Sequence, residues 1–144
     1  MPGRSKALSA YGRVANAETD PIQQIVMLYD GAVKFLRLAA ADIETGNLDK
    51  KAEHTNRALD IIGYLQSILD FESGGEVAVV LDHLYTSLNI QILKASANLD
   101  AASILNAAGA ILPVRDAWTA TARNSQAPMV AGAGAETANY QRVA

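Results

Sequence analysis

Apolar positions recur with a period of 3 to 4 residues over most of the chain, interrupted at a few points by capping chemistry. "TDPIQQ" opens the first such segment: Asp20 can cap and Pro21 suits the first helical turn. This helix is expected to run to about Thr45, carrying Ile22, Ile25, Val26, Tyr29, Val33, Leu36 and Ile43 on its core stripe. Gly46 stops it, and Asn47 offers the next cap. A second helix follows from about Leu48 to Phe71, with Ala52, Thr55, Leu59, Ile62, Leu65 and Leu69 at helical spacing, and then a tight reversal at "ESGGE". The third, from Glu76 to about Asn98, presents Val77, Val80, Leu81, Leu84, Leu88, Ile92 and Ala95. Asp100 caps the fourth, with Ala101, Ile104, Leu105, Ala108 and Leu112 inward and Trp118 near its far end. Short connections make neighbouring helices antiparallel. The fold class is therefore all-α: an antiparallel four-helix bundle over residues 19–122, a short N-terminal arm over 1–18 and a disordered tail over 123–144. A kink is expected at Pro113, which lacks the N–H that would bond the Gly109 carbonyl.

Two helices carry more apolar surface than one core stripe requires. On the second, Ile61, Tyr64 and Ile68 lie roughly opposite Leu59, Ile62 and Leu69. On the third, Val79, Thr86, Ile90, Leu93 and Ala97 lie across from Val77, Leu81, Leu84, Leu88 and Ala95. Outward-facing apolar strips on adjacent helices make a groove suited to an amphipathic helix. The alternative covers are the N-terminal arm, a fifth helix or a homodimer partner.

"MLYDGA", Met27 to Ala32, fits the same logic. Tyr29 should pack inward with its hydroxyl seeking a partner near the surface. Asp30 stands at ion-pair spacing from Lys34 and Arg37. Gly31 lowers helix stability by about 1 kcal/mol relative to alanine. It leaves a hollow between Met27 and Phe35 where another chain can dock, or permits close approach of a neighbouring helix.

Composition removes several function classes. Among 144 residues half are apolar, net charge is -3, and basic residues form no stripe, so nucleic acid and anionic lipid are not expected partners. Cysteine is absent. The N-terminus has no apolar signal core, and no apolar run reaches spanning length, which points to a cytoplasmic protein without membrane insertion. The two histidines, His54 and His83, lack metal-site spacing, so no metal or cofactor is expected. His54 with Arg57 one turn on leaves phosphotransfer as a minor alternative. No nucleophile elbow or phosphate loop appears, so no enzyme is expected.

Four stretches in order, Asp20-Pro21, "MLYDGAVKFL" (Met27 to Leu36), "LDFESGGEVAVVLDHLY" (Leu69 to Tyr85) and "RDAW" (Arg115 to Trp118), resemble the FliS family of cytoplasmic flagellin export chaperones. Tyr11 looks like the family's arm tyrosine, with Val14 as a second anchor. The resemblance implies a helical bundle that binds the C-terminal segment of flagellin, disordered when free and helical when bound. It also implies type III export as the setting, with export-apparatus components as further candidate partners. The family's arm can occupy part of the client surface; if so here, deleting residues 1–17 should tighten client binding unless Tyr11 contacts the client. Ser87 replaces a tyrosine many members carry, and Asn89 and Gln91 stand within "NIQIL" in place of a frequent basic pair. The rival reading is a homodimerising helical module without a folding-on-binding client.

Overall fold

The computed structural model describes residues 8–11 and 20–128, with side chains described to residue 123. Val14 and residues 129–144 lie outside the described residues.

Four antiparallel helices form the bundle: α1 (Pro21–Thr45), α2 (Leu48–Ser67), α3 (Phe71–Ala97) and α4 (Ala101–Pro128). The caps are local chemistry. The Asp20 carboxylate accepts from the Ile22 N–H, with Pro21 in the first turn. Gly46 adopts the left-handed φ of 75°, and its N–H and that of Asn47 close the carbonyls at the end of α1. Asn47 then caps α2, and Asp100 accepts from the Ser103 N–H to start α4.

The reversal between α2 and α3 comes earlier than the double glycine suggests. Asp70 caps α3 by accepting from the Glu72 and Ser73 N–H groups, so α2 ends at Ser67 and Phe71 belongs to α3. "ESGG" forms a first helical turn that is interrupted at Gly75, whose φ of 53° only glycine adopts without strain. α4 also outruns its expected end: no glycine or proline stands between Pro113 and Pro128, and the helix continues past Arg123, where a disordered tail was expected. Pro113 sits exposed inside this continuous helix, and the Gly109 it frees is exposed too, so water can satisfy that carbonyl.

α1 is the central element, packing most closely on α2 and α4, whereas α3 packs less extensively on both of its neighbours. Small residues allow the close α1–α4 approach: Ala32, Ala39 and Ala40 on one side, Ala101, Ala107 and Ala108 on the other, are all buried. The buried line of α3 is Ala78, Leu81, Tyr85, Leu88, Ile92 and Ala95, one position displaced from the expected stripe in its first half, so Val80 is exposed and Tyr85 is core. On α4, Ile111 is buried and Leu105 exposed.

The arm fills the space that α3 leaves. Leu8, Ala10 and Tyr11 are buried, and the Asp70 N–H donates to the Ala10 carbonyl at 2.5 Å. Tyr11 is fully enclosed, its ring edge-on to Trp118 at 5.0 Å between centroids. Gly74 makes this docking sterically feasible, since a Cβ there would lie 2.5 Å from the Ala10 Cα. Tyr11, expected as an anchor of the arm, is thus enclosed by the bundle and counts among its core residues.

Candidate functional site

The second apolar line of α3 is on the surface. Val79 (46%), Ile90 (55%) and Leu93 (56%) are exposed, as are Thr86 and Ala97. From Val79 to Ala97 the line spans nineteen residues, about 27 Å of helix. Thr86 is held on the α2 side by Gln66, whose amide donates to its hydroxyl at 2.9 Å and to the Asp82 carboxylate at 2.8 Å. On the opposite side, Ile90 borders an open cleft of about 410 Å³ between α3 and α4, lined also by Gln91, Lys94 and Ser103.

The second line of α2 does not join it in one groove. Ile61 and Ile68 are half-buried against the core, and Tyr64 is exposed. Ile61 reaches α1: its δ1 methyl lies 3.2 Å from where a Gly31 Cβ would stand. The hollow expected at Gly31 is thus occupied from within the chain, and glycine here admits the neighbouring helix. Open space lies one turn away, in a cavity of about 410 Å³ lined by Gln24, Met27, Leu28 and Tyr64. Met27 is 65% exposed. The sequence-read residues therefore divide between two surfaces: an α3 strip, and an α1–α2 groove that is open at Met27 and Tyr64, closed at Gly31 by Ile61, and flanked beyond it by the half-buried Phe35.

At the far end of that groove His54 Nδ1 hydrogen-bonds the Asp42 carboxylate at 2.6 Å, and its ring stacks on Phe35 with centroids 6.0 Å apart. These contacts tie α2 to α1 through a histidine read earlier as a phosphotransfer alternative. Asp30, expected to pair along its own helix, instead accepts from Arg115 of α4 at 2.8 Å. The "RDAW" segment thereby contributes twice to holding α4 on α1, through Arg115 and the buried Trp118.

Tyr29 places its hydroxyl in the interior, not near the surface. It lies 2.6 Å from the Tyr11 hydroxyl, and both contact that of Tyr85. Each hydroxyl can donate once and accept once, so the three close a ring. Burial pushes all three phenols above their ordinary value, because the charged form would be stranded away from water; Tyr29 raises both Tyr11 and Tyr85 further. Sequence reasoning had placed Tyr29 inward but missed the ring, whose members are 18 and 56 residues apart.

Among the described residues no cluster of His, Asp and Glu could hold a metal ion, and no helix is long and apolar enough to cross a membrane.

The chain matches the family model described as "Flagellar protein FliS" over residues 4–125. It is 34% identical over 119 residues to the flagellar secretion chaperone FliS of Salmonella typhimurium, spanning 79% of this chain and 88% of that one. Identity to the FliS of Vibrio cholerae is 33% over 116 residues, 78% of this chain and 85% of that one. The Bacillus subtilis FliS is 30% identical over 112 residues, 76% and 81% of the two chains.

Proposed function

The chain belongs to the FliS family of flagellar secretion chaperones, and we propose that its client is the C-terminal segment of flagellin, which it keeps unpolymerised and competent for type III export in the cytoplasm. The observation that carries this reading is the exposed α3 strip, Val79, Ile90 and Leu93, an apolar surface that the bundle itself leaves uncovered. A client disordered when free would gain helix as it covers this strip, with apolar burial at roughly 25 cal/mol per Å² offset by the cost of ordering. The α1–α2 groove supplies a second apolar surface for a client long enough to wrap the bundle.

Calorimetric titration with a synthetic C-terminal flagellin segment, with circular dichroism in parallel, tests the proposal. One-to-one binding, a negative heat-capacity change and gained helicity are expected. No binding, together with concentration-dependent dimerisation in sedimentation, would overturn it in favour of a self-associating module.

A further inference from the structure

The α1–α2 groove holds cationic charge that the fold does not neutralise. Lys34 Nζ lies 5.4 Å from the Phe35 ring centroid and the Arg57 guanidinium carbon 5.9 Å from it. Both side chains are exposed, and neither takes part in the ion pairs found among the described residues. Asp42, whose partner His54 stacks on the same Phe35 ring, is already held by that histidine. Two cations thus approach one aromatic ring in a chain whose net charge is -3. Met27 and the cavity it shares with Tyr64 stand eight residues away along α1, about 12 Å.

Resting on the reading that the client is a flagellin C-terminal segment, we propose that Lys34 and Arg57 receive the client's terminal carboxylate. The polarity follows from electrostatics. The last turn of a helix carries partial negative charge on its unpaired carbonyls, and a free α-carboxylate adds a full one. A helix N-terminus, positively polarised, would be repelled by the same two cations. The client's final helical turn therefore lies over Phe35, and an apolar side chain about two turns upstream enters the cavity beside Met27 and Tyr64. Phe35 orients both cations by a cation–π contact, which leaves their outer hydrogen-bond donors free for a carboxylate.

The test compares one synthetic C-terminal flagellin segment prepared as the free acid and as the C-terminal amide, each titrated into the full chain. The amide is expected to bind about threefold to tenfold more weakly, with the gap narrowing at high salt. In the Lys34→Ala/Arg57→Ala variant the gap should vanish, while Leu93→Asp should weaken both peptides and preserve their ratio. Equal binding of acid and amide to the native chain would overturn this assignment and leave the client reading intact. A double variant that weakens both peptides equally while their gap persists would mean that the cations meet a side-chain carboxylate, which also overturns it. Absence of binding by either peptide would overturn the client reading with it.

Discussion

The hydroxyl of Tyr11 lies 2.6 Å from that of Tyr29, and this contact joins the N-terminal arm to the centre of the bundle. Tyr85 of α3 closes the ring, and Trp118 of α4 meets the Tyr11 ring in a T-shaped contact. One side chain thereby touches three of the four helices. Tyr11→Phe keeps the ring packing but leaves two buried hydroxyls with one partner fewer, at a cost of about 1–3 kcal/mol. Tyr11→Ala also opens a cavity, and about 3–5 kcal/mol should be lost. Urea midpoints for the two variants measure the difference; equal and negligible losses would show that the arm is not part of the core.

The same ring sets a response to alkali. All three phenols are raised by burial above an unfolded value of 10.0. The folded state therefore retains protons that the unfolded chain gives up. Below pH 10 this adds no pH dependence; above it, stability falls by up to about 1.4 kcal/mol per pH unit for each buried tyrosine until the folded values are reached. Denaturation midpoints between pH 8 and 11.5 should stay level and then drop steeply, and Tyr85→Phe should lower the slope by about one tyrosine's share. A midpoint independent of pH up to 11.5 would contradict the burial of the phenols.

Helix starts and stops were legible wherever they depend on one or two residues. Asp20-Pro21, Gly46-Asn47 and Asp100 each satisfy or terminate backbone hydrogen bonds by themselves. Asp70 was obscured because "ESGGE" resembles a turn, and the contribution of Gly74 depends on Ala10, more than sixty residues away in sequence. The α3 register was misread for a related reason. Val77, Val79 and Val80 surround the helix with apolar side chains, so periodicity alone does not select the inward one. The outward positions of Val79, Ile90 and Leu93 were readable, but the separation of the α2 stripe from the α3 strip was not. Ile61 turns toward α1 because Gly31 admits it, a relation between helices that no single stripe encodes.

Gly74 makes a direct prediction about the arm. Gly74→Ala places a methyl 2.5 Å from the Ala10 backbone, which cannot yield as a flexible side chain could. Either the arm leaves or α3 shifts, at about 1–3 kcal/mol. The Trp118 fluorescence maximum should move to the red as Tyr11 withdraws from its ring. Gly75→Ala serves as the comparison: it forces a side chain onto a φ 53°, ψ -126° backbone that suits glycine alone, at about 1–3 kcal/mol, with open space around the new methyl, so it should destabilise without moving the fluorescence.

The Asp30–Arg115 pair should matter less than its position in two recurring motifs suggests. The Asp30 side chain is 51% exposed and that of Arg115 31%, so solvent and salt screen the attraction. Asp30→Asn should cost no more than about 1 kcal/mol, and the loss should shrink further in 1 M salt. A loss of several kcal/mol in urea denaturation would mean that the pair orients α4 in a way its exposure does not reveal.

The two apolar surfaces can be separated by charge insertion. Leu93 is 56% exposed on α3, and Met27 is 65% exposed beside the α1–α2 cavity, so an aspartate at either site is tolerable to the free fold. Helix content and urea midpoint should therefore stay within about 0.5 kcal/mol of the native chain. Burying a leucine side chain at an interface contributes about 1.5–3 kcal/mol, so Leu93→Asp should weaken the flagellin segment at least about tenfold. Met27→Asp should weaken it as well, since the proposed course of the client's last turns brings an apolar side chain into the cavity that Met27 lines. Loss with both variants means that one client covers both surfaces. Loss with Leu93→Asp alone confines it to α3 and leaves the α1–α2 groove to another partner. Native affinity in both would remove the exposed apolar surface as the basis of client recognition.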